Sequence, residues 1–275
     1  MKLEGKTALV TGTSPNILGG IAEGLAAEGA KIVCVDINTD YANSCARSIN
    51  EAGGQALGLT CDVTVEEQVT ATIASAEEAF GPMDILVNGA ALFNFKGVLD
   101  MPLDEWRRQT DVILTGPFLF TKHVARRMID QDRKGNIINI ISTAGHQGEP
   151  GNVAYGTAKA GLLNFTRSVA MELSRYGIRV NSLTPTATDS TEGTERAARW
   201  GVAWPPARLG QRAKGLLPNA SAGAPLLKLP RPSDYAKAAV FLASDDAEMI
   251  TAFDLRVDAG AVSRYWIWNP GDAVD

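Results

Sequence analysis

Three residues with chemically useful side chains lie in one stretch of the chain. Ser142 comes first, Tyr155 follows, and Lys159 stands four residues after the tyrosine. Apolar residues at helical spacing from Ala158 to Leu173 predict a helix that opens at Tyr155, and residues i and i+4 lie one above the other on a helix. A nearby ammonium stabilises a phenolate, so the spacing predicts that Lys159 lowers the pKa of Tyr155 and makes it a general acid or base. Pairs of this kind also occur on helices by chance.

Composition describes an ordinary globular protein. The 275 residues are 45% hydrophobic and 21% charged, which is compatible with one domain spanning residues 1–275. A net charge of −5 does not point to nucleic acid or to an anionic membrane surface. We find no signal-peptide pattern and no apolar run long enough to span a bilayer, so we expect a soluble cytoplasmic protein with no membrane partner.

Neither a disulfide nor a metal site is expected. Cys34, Cys45 and Cys61 are odd in number and have no Cys-x-x-Cys spacing, so buried thiols are the simpler interpretation. The sequence contains only two histidines, His123 and His146, which makes zinc chemistry a poor fit.

The first third of the chain has the pattern of a dinucleotide-binding unit. An apolar strand at Thr7–Thr11 meets Gly12, a helical pattern follows at about residues 21–29, and a second buried strand at 31–36 ends in Asp36. In such a βαβ unit the helix N-terminus receives phosphate charge and the acid bonds the ribose.

Strands and helices continue to alternate along the chain. We predict helices at about 41–52, 65–80, 103–130 and 233–243, the last N-capped by Ser233 or Asp234, and strands at 56–60, 84–88, 136–141, 178–183 and 253–257. This alternation predicts an α/β fold, a Rossmann-type doubly wound parallel sheet in a three-layer αβα domain. The stretch from 184 to 230 lacks regular patterning, and we expect a substrate-loop insertion at about 186–230.

Short motifs follow the strand ends in a fixed order. They are Thr11-Gly12, Asp62-Val63, Asp84-Ile-Leu-Val-Asn88-Gly-Ala-Ala, Ser142, Tyr155, Lys159 and Pro185. With these motifs the chain closely resembles the classical short-chain dehydrogenase/reductase family over essentially its whole length. Each motif is weak alone, whereas their order and spacing together are highly specific.

The resemblance implies a nicotinamide cofactor and hydride transfer between an alcohol and a carbonyl. It further implies that Tyr155 is the acid/base, that Lys159 lowers its pKa and holds the nicotinamide ribose, and that Ser142 hydrogen-bonds the substrate oxygen. The expected cofactor-binding residues are Gly12, Asn16, Ile17, Asp36, Asp62, Val63, Asn88, Tyr155, Lys159, Pro185, Thr186 and Thr188.

The phosphate loop departs from the family pattern. The family's Thr-Gly-x-x-x-Gly-x-Gly reads Thr11-Gly12-Thr-Ser-Pro-Asn-Ile-Leu18 in this chain. Asn16 enters left-handed backbone readily, but Leu18 is bulky where close backbone approach is expected. We therefore expect the loop to take a different path that uses Gly19 and Gly20.

Two further departures concern the proton route and the sixth strand. Ile113 precedes Leu-Thr-Gly where the family has an asparagine that holds a relay water, and its side chain cannot hydrogen-bond. Either the relay runs differently or turnover is reduced, and Asp111 lies on another helix face. Thr186 follows Pro185 where the family commonly has glycine.

Asp36 predicts the cofactor, while the substrate is poorly determined. The carboxylate would accept bonds from both ribose hydroxyls and repel a 2′-phosphate, and no cation stands beside it, so we expect NAD rather than NADP. Candidate substrate contacts are His146, Gln147, Trp200, Trp204 and Arg208. For each of these the ordinary alternative is a solvated loop residue or packing against the domain.

These observations predict an NAD-dependent oxidoreductase acting on a small-molecule secondary alcohol or ketone. Two alternatives stay open: an NADPH-dependent carbonyl reductase of the 3-oxoacyl type, and a non-catalytic dinucleotide-binding protein on the same fold. The aromatic tail at 264–270 is expected to cover the domain or a neighbouring subunit. Family likeness favours a homotetramer, with a homodimer as the alternative.

Overall fold

A twisted parallel sheet forms the centre of the molecule. The computed structural model describes residues 1–204 and 224–265, and in this part of the chain the sheet has seven strands. They are β1 (Thr7–Thr11), β2 (Lys31–Asp36), β3 (Gln55–Thr60), β4 (Ile85–Asn88), β5 (Gly135–Ile140), β6 (Ile178–Pro185) and β7 (Asp254–Val257). Their spatial order is β3-β2-β1-β4-β5-β6-β7, and every neighbouring pair is parallel.

Helices connect the strands and cover the sheet. They are α1 (Ile17–Ala27), α2 (Thr39–Glu51), α3 (Glu66–Phe80), α4 (Leu103–Thr110), α5 (Gly116–Asp130), α6 (Val153–Leu173), α7 (Thr191–Trp200) and α8 (Pro232–Ala243). Over the described ranges, none of these helices has the length and apolar character needed to cross a bilayer.

The strands are apolar on both faces because each face packs against helices. Along β1, Ala8 and Val10 join a core with α1, α2 and α8, whereas Leu9 between them joins a second core with α3, α5 and α6. This alternation follows from the two-residue period of a strand. Two cores on opposite faces confirm the predicted doubly wound, three-layer Rossmann-type domain.

The strand order changes direction at β1, near the centre of the sheet. From β1 it proceeds outward to β2 and β3, then returns to place β4 on the other side of β1. The crevice at such a switch point, beyond the carboxyl ends of the strands, is where ligands bind in open α/β sheets.

Three predicted boundaries are wrong. The predicted helix at 103–130 is interrupted by one turn of π-helix at Asp111–Thr115, and the segment predicted to lack regular structure contains α7. The N-cap of α8 is Arg231, with Pro232 at the first helical position, so Ser233 and Asp234 lie inside the helix. Arg208 and the aromatic residues from 266 onward lie outside the described residues.

The π-helical turn places Ile113 in a small apolar cluster. The Ile113 side chain is fully buried and packs with Ile141, Ala158 and Leu162, between the strand β5 and helix α6. Asp111 is exposed and accepts a hydrogen bond from Thr115. The isoleucine is thus accommodated as part of the core, and Asp111 does not replace a missing polar group there.

Ile113→Asn should lower the free energy of unfolding by about 3 kcal/mol, because it places an amide among apolar side chains. Ile113→Val keeps the chemistry and should cost only about 1 kcal/mol. Urea denaturation of both variants measures the difference. An Ile113→Asn variant as stable as the Ile113→Val control would show that a polar partner is available at this position, and the apolar description would be wrong.

Candidate active site

The loops that leave the carboxyl ends of the strands meet at one edge of the sheet. Gly12 follows β1, Asp36 ends β2, Asn88 ends β4, Ser142 follows β5 and Pro185 ends β6. Because all strands are parallel, these residues share the edge that borders the switch-point crevice. The edge therefore collects most of the residues singled out from the sequence.

Ser142, Tyr155 and Lys159 come together at the first turns of α6. Ser142 begins a 3-10 turn, where its Oγ accepts a hydrogen bond from the Ala144 backbone N–H at 3.2 Å. The Ser142 hydroxyl also hydrogen-bonds the Tyr155 phenol. Lys159 is buried one turn further on, with Nζ 5.6 Å from the centroid of the Tyr155 ring.

The ammonium of Lys159 is directed at the sheet. Its Nζ donates a hydrogen bond of 2.5 Å to the carbonyl oxygen of Ile140, the last residue of β5. Burial lowers the pKa of Lys159 to about 7, because taking an ammonium out of water disfavours its charged form.

The structure does not show the predicted lowering of the Tyr155 pKa below its usual value. Burial raises the pKa of Tyr155 to about 12, and the hydrogen bond with Ser142 offsets only part of this effect. The ammonium of Lys159 is bonded to Ile140 and, with a pKa near 7, is only partly charged at neutral pH, and burial of the phenol outweighs its effect on the pKa of Tyr155. The phenol is therefore protonated at neutral pH.

Gly12 permits a tight passage of the chain after β1. Its φ of 81° is left-handed, and a Cβ at this position would lie 2.8 Å from the backbone Cα of Ala90. The Gly12 N–H is held by the carbonyl of Val35 at 2.7 Å. A side chain at position 12 would push apart the loops after β1 and β4.

The N-terminus of α1 follows this loop and has the features of an anion site. No side chain caps the helix, and its first turn contains no acidic residue. The backbone N–H groups of Ile17 and Leu18 are thus left for a ligand, which suits the pyrophosphate of a dinucleotide. The residues at this edge therefore fit the cofactor that the sequence implies.

One glycine of the predicted alternative path takes part in the phosphate loop and the other does not. The Gly19 N–H donates a hydrogen bond to the Ser14 carbonyl at 3.0 Å, and a Cβ on Gly19 would lie 2.5 Å from that oxygen. Gly20 lies inside α1, where an added Cβ would meet the side chain of Pro232 at 2.8 Å. Gly19 therefore contributes to the loop, whereas Gly20 allows close helix packing. Asn16 has φ −86° and does not use the left-handed conformation.

Leu18 is accommodated by a glycine on the neighbouring strand end. The Leu18 side chain is buried in the core and lies over Gly89, where a Cβ would be 2.2 Å from Leu18 Cδ1. Space that a side chain at position 89 would fill is thus occupied by the leucine. The bulk of Leu18 points at β4 and does not obstruct the N–H groups of α1.

Asp36 presents a nearly buried carboxylate at the end of β2. Its side chain accepts the backbone N–H of Asn38 at 2.9 Å, and the residue is 9% exposed. Burial raises its pKa to about 6, while hydrogen bonds from the backbone of Asn38 and Ile37 act in the opposite direction. At pH 7 and above the carboxylate is ionised and can accept hydrogen bonds from ribose hydroxyls.

Other residues expected to bind cofactor are engaged elsewhere through their side chains. Asp62 accepts bonds from Arg108 at 3.0 Å and from the Thr64 hydroxyl at 2.7 Å. Asn88 is buried and donates to Asn139 at 2.9 Å within the sheet, so its amide stabilises neighbouring strands. Val63 is also buried and packs against Gly116. For Val63 only main-chain atoms remain for a ligand, whereas the buried Oδ1 of Asn88 has no hydrogen-bond partner among the described residues.

The two threonines after Pro185 form a polar turn beside the loop after β5. The Thr186 hydroxyl accepts a bond from Thr143 at 3.4 Å, and the Thr188 hydroxyl lies 3.0 Å from the Thr186 carbonyl and 3.1 Å from the hydroxyl of Tyr235. This turn places Thr186 next to the Ser142 turn, whereas Thr188 is tied to α8.

The four candidate substrate residues in the described part of the chain have different surroundings. His146 turns towards the sheet, with Nε2 3.2 Å from both Thr184 Oγ1 and Asp254 Oδ2, and Gln147 is exposed. Trp200 is 3% exposed and belongs to the core beside α1. Trp204 makes an edge contact with Tyr41 on α2. Sequence alone could not show which surface these side chains face.

A buried arginine links α7 to the phosphate loop. Arg196 donates through Nε to Glu23 of α1 at 2.8 Å and through Nη1 to the carbonyl of Pro15 at 2.8 Å. Arg199 also bonds Glu23, but its side chain is 57% exposed against 9% for Arg196. Burial tends to raise the pKa of Glu23, yet the two guanidinium groups hold it below its usual value.

Sequence reasoning missed two aromatic residues beside Tyr155. The ring of Phe93 makes an edge contact with the Tyr155 ring at 5.6 Å, and Phe95 contacts Phe93 at 5.3 Å. The sequence feature that could have indicated them is the run Phe-Asn-Phe shortly after Asn88. Two aromatic residues so close together in a loop suggest that their rings pack against a common surface.

Comparison with known proteins places the chain in a family. The family model described as enoyl-(acyl carrier protein) reductase matches residues 16–262. Galactitol 2-dehydrogenase of Agrobacterium fabrum is 35% identical, with 94% of this chain and 98% of that protein covered.

Two solved structures agree with this match. A short-chain type dehydrogenase/reductase from Mycobacterium marinum has a TM-score of 0.80 at 31% identity, covering 94% of this chain and 96% of that one. An NAD⁺-bound xylitol dehydrogenase has a TM-score of 0.83 at 31% identity, covering 94% of this chain and 99% of that one.

The chain belongs to the short-chain dehydrogenase/reductase family. It is an oxidoreductase that transfers hydride between a nicotinamide cofactor and a secondary alcohol or ketone. Within residues 1–204 and 224–265, no group of three or more histidine, cysteine or acidic side chains is placed to hold a metal ion.

Arg196→Met should weaken NADH binding by about fivefold or more, since α7 and the phosphate loop are coupled through this side chain. It should also lower the free energy of unfolding by about 3 kcal/mol, because Glu23 loses its buried partner. NADH titration and urea denaturation measure the two effects. Arg199→Met is the matched control and should cost less than about 1 kcal/mol. Equal effects of the two variants would contradict a special role for the buried arginine.

Proposed function

We propose that Ser142, Tyr155 and Lys159 carry out the proton-transfer part of an NAD-dependent alcohol/ketone interconversion. The observation that carries the proposal is the placement of Ser142 and Tyr155 together, beside the buried ammonium of Lys159. The pair lies at the carboxyl edge of the sheet, where the phosphate loop also opens. A protein that only bound a dinucleotide would not need the phenol.

The cofactor would be held by groups already in place along this edge. The N-terminus of α1 at Ile17 would receive the pyrophosphate, and Asp36 would accept hydrogen bonds from the adenosine ribose. Lys159 and Thr186 would lie near the nicotinamide end, because they border the Ser142 turn. When bound, the nicotinamide supplies the carbon that gives or receives hydride.

Tyr155 would act on the substrate oxygen as acid or base according to direction. Its raised pKa keeps the phenol protonated at neutral pH, so it can donate a proton to the oxygen that forms during ketone reduction. In alcohol oxidation the phenol must first lose its proton. The hydroxyl of Ser142 would hold the same oxygen and so fix its distance from the phenol.

Lys159 would supply positive charge to this proton exchange. With a pKa near 7 it carries a proton in part of the molecules at neutral pH, and its burial prevents water from screening that charge. Protonated Lys159 stabilises any phenolate formed at Tyr155. Because Ile113 closes the cluster behind α6 with apolar side chains, we infer that protons reach Tyr155 from the crevice.

The proposal includes association into a homotetramer or a homodimer. Phe118 on α5 and Met171 on α6 are 47% and 61% exposed, which supports a contact surface on this face of the molecule.

Tyr155→Phe should lower kcat by about 10²–10⁴-fold, because the ring remains while the acid/base group is lost. NADH absorbance, followed with a panel of secondary alcohols and their ketones, measures the rates. Wild-type alcohol oxidation should also rise with pH above 7, since ionisation of Tyr155 is favoured at higher pH. An equally active Phe variant would remove Tyr155 from the chemistry, while unchanged NADH affinity in that variant would show that its fold is intact.

NAD⁺ should bind more tightly than NADP⁺ at pH 7.5, because the ionised carboxylate of Asp36 repels a 2′-phosphate. The folded-state pKa of Asp36 is about 6, so the carboxylate becomes protonated as pH falls through 6 and the preference should narrow at pH 5. The side chain of Asp36→Asn cannot ionise, so this variant should prefer NAD⁺ over NADP⁺ only slightly at both pH values. Titration of tryptophan fluorescence with each oxidised cofactor gives the dissociation constants.

The Asn variant separates Asp36 from the titration of the 2′-phosphate itself, which changes charge in the same range. A preference that narrows equally in wild type and in Asp36→Asn would assign the pH dependence to the ligand. Tighter binding of NADP⁺ by the wild type at pH 7.5 would overturn the assignment of NAD.

A further inference from the structure

The connection between β4 and α4 is polar on one side and aromatic on the other. Residues 93–96 read Phe-Asn-Phe-Lys. The side chains of Asn94 and Lys96 both contact Glu105, whereas the rings of Phe93 and Phe95 contact each other. The two sides have different partners.

The polar side is fixed to α4. Asn94 bonds Glu105 and accepts a hydrogen bond from Gln109 at 2.8 Å, and Lys96 Nζ lies 2.5 Å from a carboxylate oxygen of Glu105. Gln109 is buried, and Glu105 is partly buried. These bonds hold the segment to the helix by its even-numbered residues and orient the odd-numbered residues away from α4.

The aromatic side lies against the proposed acid/base. The rings of Phe93 and Tyr155 have centroids 5.6 Å apart and planes at 71°, and Phe95 meets Phe93 at 5.3 Å and 69°. Phe93 nevertheless keeps 40% of its surface exposed. Phe95 has φ 52°, a conformation that costs a bulky residue free energy and that recurs at functional sites.

We propose that Phe93 and Phe95 form an apolar wall of the substrate pocket and that the substrate is a cyclic alcohol or ketone whose ring packs against Phe93. This assignment rests on the proposed role of Tyr155. A ring that carries the reacting carbon would cover the exposed face of Phe93 while its oxygen meets the phenol. An open-chain polyol would have to bring hydroxyl groups against this wall without hydrogen-bond partners.

The wall thus separates this chain from the galactitol and xylitol dehydrogenases that it resembles. Galactitol and xylitol are open-chain polyols, with a hydroxyl on every carbon. In the reaction proposed here Tyr155 first loses its phenolic proton to the crevice. The carbinol hydrogen then leaves as hydride to oxidised nicotinamide, and the hydroxyl proton goes to the Tyr155 phenolate. One ketone and one reduced cofactor form for each alcohol, and the ring itself takes no part in the chemistry.

The test compares 1-indanol and cyclohexanol with xylitol and galactitol at saturating NAD⁺. In the wild type we expect kcat/KM for the cyclic alcohols to exceed that for the polyols by about tenfold or more. Phe93→Ala should lower the value for 1-indanol by about tenfold, mainly through KM, and leave xylitol within about twofold. Phe253→Ala removes a phenylalanine that is 51% exposed before β7, and it should change neither value.

A binding measurement completes the test and does not depend on turnover. Saturation-transfer NMR with NADH-bound protein should detect 1-indanol, and the signal should weaken in Phe93→Ala but persist in Phe93→Leu, which keeps an apolar side chain. Unchanged NADH affinity and melting temperature would show that both variants are folded.

Three results would overturn the proposal. They are a wild-type preference for the polyols, an equal loss for 1-indanol and xylitol in Phe93→Ala, and no detectable binding of 1-indanol or cyclohexanol to the NADH-bound wild type. Equal losses would mean that Phe93 only supports Tyr155. If the polyols are preferred but Tyr155→Phe abolishes their oxidation, the proposed function stands and only the substrate class falls. If Tyr155→Phe is as active as the wild type, the proposed function itself fails.

Discussion

The hydrogen bond from the ammonium of Lys159 to the carbonyl oxygen of Ile140 joins the proposed catalytic helix to the central sheet. A buried ammonium is costly unless it is bonded, and the end of a parallel strand offers a carbonyl for it. The bond fixes where α6 crosses the sheet edge. One turn earlier on the same helix, Tyr155 is thereby brought to Ser142, which leaves the same strand, and the phenol reaches the crevice.

Sequence patterning predicted the sheet because both of its faces are buried. Strands such as β2 and β4 read as short apolar runs that end in a polar residue, and a doubly covered parallel sheet favours that pattern. The meeting of Ser142 with Tyr155 was predictable for the same reason, since topology alone puts carboxyl ends together. The pKa of Tyr155 was not, because it depends on burial and on where the Lys159 side chain points.

Contacts between distant segments account for most of what sequence reasoning missed. Trp200 and Arg196 belong to α7, whose pattern is mainly polar, and their partners on α1 are more than 170 positions away. His146 follows the Ser142 turn in sequence but bonds Asp254 on β7. Phe93 is recognised as part of the site only through the contact of its ring with Tyr155. Local periodicity contains no information about such partners, so sequence position alone could not show which surface these side chains face.

Leu18 and Gly89 also constrain how this sequence can have arisen. With Leu18 in place, any residue larger than glycine at position 89 would overlap its side chain, whereas a small residue at 18 would leave room for change. The two positions are therefore coupled: a larger residue at position 89 requires the Leu18 side chain to move, and a smaller residue at position 18 removes that requirement. A departure from the phosphate-loop pattern at one position thus constrains a second position, in the loop after β4.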